Sequence, residues 1–132
     1  MKKTIKKLFV IALAVITLMV FAISVYAVQP RYTNTNGIEL TLSFSSSGAN
    51  CYCRIRGTSS VKNITNGTMK LLDSSGNIVA IWTNLSATGN QLIVSRNATN
   101  IVPDETYTLT ISAYVNTSTY SEHISQLTTA TN

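Results

Sequence analysis

The chain has 132 residues, a formal net charge of +5 and 45% hydrophobic residues. Four of its ten basic residues fall within the first seven positions, so residues 28–132 contain six basic and five acidic residues and have a net charge of +1. This small charge, without a basic cluster, gives no basis for binding nucleic acid, which requires a strongly basic surface. We therefore expect no nucleic-acid partner.

Residues 1–27 have the pattern of a secretory signal peptide. Four lysines precede an uncharged apolar run from Leu8 to Ile23, and Val25-Tyr26-Ala27 places small residues at the −3 and −1 positions of a cleavage site. The alternative is a retained membrane anchor, because the uncharged stretch 8–28 is long enough to span a bilayer. No basic stop-transfer cluster follows, so we expect cleavage after Ala27 and a secreted, extracellular product. Membrane association is expected only if the leader is retained.

The ~105 residues that follow the leader are enough for one domain. Of these residues, 43 are Ser, Thr or Asn, a composition that also occurs in disordered segments. However, apolar residues alternate regularly with polar ones, which indicates β-strands rather than disorder.

The first two predicted strands show strict alternation, the period of a half-buried strand. In residues 38–44, Ile, Leu, Leu and Phe occupy every second position, and a turn at residues 45–48 follows. The strand at residues 49–56 is predicted to direct Ala49, Cys51, Cys53 and Ile55 to the interior. Its outer face then has Asn50, Tyr52, Arg54 and Arg56.

Three short strands are predicted in the middle of the chain. Residues 69–72 and 78–82 flank the turn-forming segment 73–77 and are predicted to pair as a hairpin. Both strands are apolar on both faces, so the sequence does not indicate which side faces the core. A short β-branched strand is predicted at residues 91–95.

The clearest alternation lies in residues 106–115, and a last strand is predicted at residues 120–127. Segments 28–36 and 128–132 are predicted to be a mobile N-terminal segment and a frayed tail, which places the folded domain at residues 37–127. The inward positions of the strand 106–115 are Tyr107, Leu109, Ile111, Ala113 and Val115.

Seven strands joined by turn-rich segments, with no helical periodicity beyond the leader, predict an all-β fold. We expect an Ig-like/fibronectin type III-like two-sheet antiparallel sandwich of about seven strands, preceded by a helical signal peptide. Tyr107 follows a corner that contains Pro103. This is the position of a tyrosine corner, in which the hydroxyl bonds back to the backbone.

The segment VPDETYTLTISAYV (residues 102–115) resembles the F strand of fibronectin type III-like domains. A wider resemblance rests on the opening strand and turn at residues 38–48, the Cys-containing second strand and the hairpin sequence LLDSSGNIVAIW. In these sequence features the chain is similar to small secreted Ig-like/fibronectin type III-like β-sandwich proteins of Gram-positive bacteria. The resemblance implies a sandwich fold and an extracellular location, and it assigns no chemistry.

Cys51 and Cys53 are the only cysteines. Two residues of a strand span ~6.6 Å, near the upper limit of Cα separation for a disulfide, and their side chains run parallel. Packing in the core as small structural residues is therefore favoured, and the alternatives are a strained or intermolecular disulfide and a metal or redox role. Two thiols and the single His123 are too few ligands for a zinc site, so we expect no metal and no cofactor.

A catalytic arrangement is not evident in the sequence. His123 follows Glu122, but no nucleophile elbow accompanies it, and it is predicted to face solvent. Asp104 and Glu105 are adjacent and point to opposite sides of an extended chain, whereas glycosidases need two carboxylates facing each other. We expect no enzymatic activity, and a small hydrolase is the least favoured function.

Tyr52, Arg54 and Arg56 are the candidate ligand-binding residues, because they form a row on the outer face of the second strand. Tyr and Arg are favoured in binding hot spots, and an aromatic ring beside hydrogen-bonding groups suits a sugar. The alternative is that the arginine stems cover the sheet and keep it soluble.

Two hypotheses of function follow. The leading one is a secreted, non-enzymatic extracellular binding module whose partner is a cell-surface polysaccharide or a protein. The alternative is a structural or assembly subunit of a bacterial surface layer or fibre, joined through an exposed strand edge.

Overall fold

The computed structural model describes residues 31–132, so the predicted signal peptide lies outside the described residues. Each of the seven predicted positions has a strand, and no helix occurs in the described part of the chain. The strands are β1 (Thr35–Ser45), β2 (Gly48–Gly57), β3 (Asn63–Leu72), β4 (Ile78–Thr88), β5 (Gln91–Ala98), β6 (Thr106–Asn116) and β7 (Ser121–Thr131).

β3 and β4 are longer than the sequence pattern predicts, because bulges interrupt their alternation. Asn66 and Asn84 have left-handed backbone conformations with φ of 52° and 58°. The pairing of β3 with β4 shifts register on both sides of Gly67, which faces Leu85. A bulge changes which face each following residue occupies, so the period of two is lost although the strands continue.

The strands form two antiparallel sheets, one with the order β1-β2-β5 and one with the order β4-β3-β6-β7. The pairs β1–β2, β3–β4 and β6–β7 lie within a sheet, whereas the chain changes sheet between β2 and β3, between β4 and β5, and between β5 and β6. The all-β class and the predicted hairpin of β3 and β4 are confirmed.

The inward faces of both sheets form one hydrophobic cluster. Burying an aliphatic side chain contributes about 1.5–3 kcal/mol, so these positions provide the main driving force for folding. Cys51 and Cys53 are completely buried in the cluster, at the inward positions expected from the alternation. The largest fully buried side chains include Tyr107, Ile55, Ile64, Met69, Leu71, Leu109 and Ile111.

Tyr107 joins the core to the corner between β5 and β6. Its ring packs against the ring of Phe44, with centroids 5.7 Å apart. Its hydroxyl accepts a hydrogen bond from the backbone N–H of Val102 at 2.8 Å and donates to Glu105 at 3.1 Å. The Tyr107 hydroxyl is thus hydrogen-bonded to the backbone of the segment that precedes β6.

Both terminal segments contribute more to the fold than the sequence predicts. Residues 128–131 were expected to fray, but they belong to β7, because residues 106–109 of β6 extend far enough to pair with them. Part of the N-terminal segment that was predicted to be mobile is hydrogen-bonded to β7: Tyr32, Thr33, Asn34 and Thr35 all contact this strand.

Candidate functional site

The outer face of the three-stranded sheet has Tyr52, Arg54 and Arg56 on its central strand, β2. Because β1 and β5 flank β2 on either side, each of these residues has a neighbour on both strands. Arg54 lies between Glu39 and Ile93, and Tyr52 lies between Thr41 and Ser95. The structure therefore places the three candidate residues in one row at the middle of a face.

Arg54 and Tyr52 are the two half-buried residues of this row, whereas Arg56 is exposed. The Nε atom of Arg54 is buried and has no hydrogen-bond partner among residues 31–132. An unsatisfied buried donor costs about 1–3 kcal/mol, and because Nε is shielded from solvent, a ligand oxygen would reach it only after neighbouring side chains moved.

The surroundings of Tyr52 and Arg54 combine polar and apolar groups. Thr41 and Ser95 supply hydroxyls on either side of Tyr52. Ile93 is 54% exposed beside Arg54 and provides an apolar surface. At the far end of the face, the side-chain amide of Asn97 donates to the side-chain oxygen Oδ1 of Asn50 at 3.1 Å. The face can therefore offer charged donors, hydroxyls and an aromatic ring to one extended ligand.

The two cysteines are free thiols within the core. Desolvation by burial raises the pKa of Cys51 to about 11 and that of Cys53 to about 12. A thiol must ionise to act as a nucleophile or metal ligand, so burial disfavours both roles at neutral pH. Within residues 31–132, no group of three or more His, Cys, Asp or Glu side chains is placed to hold a metal ion.

Glu122 and His123 lie on opposite faces of β7. His123 is exposed, and its ring lies 5.0 Å from that of Tyr114 on β6, tilted by 58°. Glu122 is only 8% exposed and points inward opposite Val115. These two neighbours in sequence therefore do not form a catalytic pair.

Sequence reasoning missed the role of Glu122, which binds residues 33–35 at the entry to β1. Its carboxylate accepts hydrogen bonds from the backbone N–H of Thr33 at 2.6 Å and of Asn34 at 3.1 Å, and from the Thr35 hydroxyl at 2.9 Å. The sequence does indicate an unusual position here, because Glu122 occupies the same inward face as Ile124 in the alternation of β7. An acidic residue at an inward position requires hydrogen-bond donors nearby.

A pocket of about 480 Å³ at one end of the sandwich was also missed. Three stretches of chain that are far apart in sequence form it, so no local motif indicates it. Its lining residues are Thr33, Asn34, Ser60, Thr117, Ser118, Thr119 and Tyr120.

No known protein-family model and no curated protein matches the chain. Residues 31–132 include no helix that is long and apolar enough to cross a membrane.

Proposed function

We propose that the chain is a secreted, non-enzymatic binding module that holds an anionic cell-surface glycan on the outer face of the β1-β2-β5 sheet. The observation that carries the proposal is the row on the central strand β2, in which the half-buried Arg54 lies between Tyr52 and Arg56. This arrangement provides a charged donor, an aromatic ring and a second cation along one line.

The chemistry of this row favours a glycan that bears carboxylate or phosphate groups. A guanidinium donates two parallel hydrogen bonds to such a group, which a lysine ammonium does not do. The ring of Tyr52 suits the apolar face of a sugar. Glu39 lies across from Arg54 and lowers the charge of the face. Recognition would then depend on the geometry of the row more than on long-range attraction.

The proposal includes secretion and a fibronectin type III-like fold in a Gram-positive protein. The leader pattern of residues 1–27 supports export. The strand order supports the fibronectin type III-like form of the sandwich, since β4 pairs with β3 rather than with β5. In a constant-type immunoglobulin domain, the fourth strand instead pairs with the fifth.

The edges of the sheets support a binding module over an assembly subunit. Arg96 on β5 occupies an inward position, between Val94 and Ala98 in the alternation, yet it is exposed. Inward-pointing charges and bulges are devices that prevent edge-to-edge pairing. The edge strand β4 has such a bulge at Asn84. On the edge strand β7, the hydroxyl of Tyr32 donates to the backbone C=O of Ser125 and accepts from its N–H, so both groups are already hydrogen-bonded.

Retention on isolated cell wall of the source organism tests the proposal. Residues 28–132 would be incubated with wall, sedimented and quantified in the supernatant, at low and high salt. We expect retention of the native sequence and its loss when Tyr52→Ala and Arg54→Gln are combined. Charged hydrogen bonds at the face would also make retention weaker at high salt.

Arg96→Gln and Lys62→Gln are the matched controls, since each removes one positive charge away from the Tyr52 row. Both are expected to leave retention unchanged. The proposal would be contradicted by retention that survives the double substitution. A loss of retention in the controls as large as in the double variant would also contradict it. Concentration-dependent oligomers without wall binding would favour the assembly hypothesis instead.

A further inference from the structure

The open pocket at the end of the sandwich lies where three stretches of chain meet. These are the residues that lead into β1, the loop between β2 and β3, and the turn between β6 and β7. Its volume of about 480 Å³ falls within the ~300–1,000 Å³ range of small-molecule sites. It shares no lining residue with the Tyr52 row, so it is a separate place for a ligand.

Internal hydrogen bonds fix the turn that forms one wall of the pocket. The backbone N–H of Thr117 donates to the Tyr120 carbonyl at 2.8 Å. In return, the N–H of Tyr120 donates to the Thr117 hydroxyl oxygen at 3.0 Å. These bonds hold the turn in one conformation, and they present Ser118 and Thr119 at its tip.

The other two walls are also tied to the body of the sandwich. The backbone amides of Thr33 and Asn34 donate to Glu122, as described above. The Asn34 carbonyl accepts from the N–H of Thr58 at 2.9 Å, which connects this segment to the loop that contains Ser60. A pocket with walls fixed in this way loses little conformational entropy when a ligand binds.

The chemistry of the lining identifies the class of ligand. The residues among 31–132 that line the pocket carry no charge, and each of them bears a hydroxyl or an amide group beside apolar surface. Hydroxyls both donate and accept hydrogen bonds, as the hydroxyls of a sugar require. The side chain of Tyr120 is 60% exposed at the rim, where its ring could stack on the apolar face of a pyranose. We propose that this pocket is a second binding site, which takes a neutral sugar residue.

A titration followed by amide chemical shifts tests this site. Uniformly ¹⁵N-labelled residues 28–132 would be titrated with glucose, galactose and N-acetylglucosamine, and separately with glucuronic acid as a charged probe. We expect saturable shifts for at least one neutral sugar, confined to Asn34, Ser60 and residues 117–120. The charged sugar should cause smaller shifts, since no lining side chain offers it a counter-charge.

Two substitutions distinguish the pocket from other surfaces. Tyr120→Ala should reduce the affinity for the sugar at least tenfold, and Ser118→Trp, which fills the space, should abolish the shifts. Tyr114→Ala is the control, because Tyr114 is an exposed tyrosine outside the pocket. The proposal is overturned if no neutral sugar shifts the pocket amides. It is also overturned if the shifts persist in both pocket variants, or if they disappear equally in Tyr114→Ala.

The test is independent of the sheet face. Tyr52→Ala combined with Arg54→Gln should leave the neutral-sugar shifts intact, even when it abolishes retention on the wall. Loss of the sugar shifts in that variant would assign the sugar to the sheet face and contradict a site in the pocket.

Discussion

The carboxylate of Glu122 accepts the backbone N–H of Thr33 at 2.6 Å, although the two residues are 89 positions apart in sequence. This contact joins the beginning of the domain to its last strand. It also fixes one wall of the neutral pocket, since Thr33 and Asn34 line it. A single inward-facing acid therefore links closure of the fold to the shape of a candidate site.

Removing the Glu122 carboxylate should destabilise the domain. Glu122→Ala removes the acceptor of three part-buried donors, the N–H groups of Thr33 and Asn34 and the Thr35 hydroxyl, so we expect a loss of about 2–3 kcal/mol in the free energy of unfolding. Urea denaturation measures the loss, and amide hydrogen exchange at Thr33 and Asn34 should accelerate. Glu39→Ala is the control, because Glu39 is exposed on β1. Equal stabilities of the two variants would show that the contact contributes nothing.

The hydroxyl of Tyr107 should contribute measurably to stability. Tyr107→Phe keeps the ring against Phe44 but removes the acceptor of the Val102 N–H, which predicts a loss of about 0.5–1.5 kcal/mol. Thermal unfolding of this variant would be compared with that of Tyr114→Phe, which changes an exposed tyrosine. A Tm for Tyr107→Phe that matches the Tyr114→Phe value would contradict the role of the corner.

The buried thiols predict a loss of stability at alkaline pH. Well below pH 9.0, the ordinary pKa of a cysteine, both thiols are protonated in the folded and the unfolded chain, and they make no pH-dependent contribution. Above that pH the unfolded chain ionises first, since the folded pKa values are about 11 and 12. Ionisation of the thiols therefore lowers the free energy of the unfolded state relative to that of the folded state, and the domain loses stability as pH rises from 9.0 towards 11.

Urea midpoints at several pH values test this dependence. The native sequence should lose more stability between pH 9.0 and pH 11 than a variant with Cys51→Ala and Cys53→Ala, in which only other groups titrate. A thiol reagent should react with the native fold only at the rate of unfolding. Parallel pH profiles for the two proteins, or immediate labelling, would contradict the buried positions.

Gly48 and Gly76 provide a matched pair for the effect of close packing. Both have positive φ, 128° and 83°, so alanine strains the backbone at each. At Gly48 the added Cβ would also overlap the Ala98 carbonyl oxygen, whereas at Gly76 no atom of residues 31–132 lies within 4 Å. Gly48→Ala should cost at least ~2 kcal/mol, and Gly76→Ala only about 1 kcal/mol. Equal unfolding free energies of the two variants would show that the β1–β2 turn accommodates the added methyl group without extra strain.

The parts of the fold that the sequence predicts depend on local alternation. In β2 and β6 a period of two continues through the whole strand, so the buried positions from Cys51 to Ile55 and from Tyr107 to Val115 are readable. In β3 and β4 the bulges near Asn66 and Asn84 break that period, and the strands are longer than predicted. Local alternation indicates the strands well only where no bulge occurs.

The two candidate sites also differ in how far the sequence predicts them. The Tyr52 row is predictable because its members are alternate residues of one strand. The neutral pocket and the Glu122 contacts join segments that are far apart in the chain, so they depend on how the sheets pack. A polar inward position such as Glu122 indicates that a partner exists, but it does not identify that partner.

The affinity of Arg54→Gln for isolated wall, compared with that of Arg96→Gln, tests the central claim most directly. Each substitution removes one positive charge from the three-stranded sheet, but only Arg54 lies in the Tyr52 row. We predict that Arg54→Gln raises the Kd at least ~10-fold, a change of about 1.4 kcal/mol, and that Arg96→Gln leaves the Kd unchanged. Equal Kd values for the two variants would contradict the assignment of the glycan to this face.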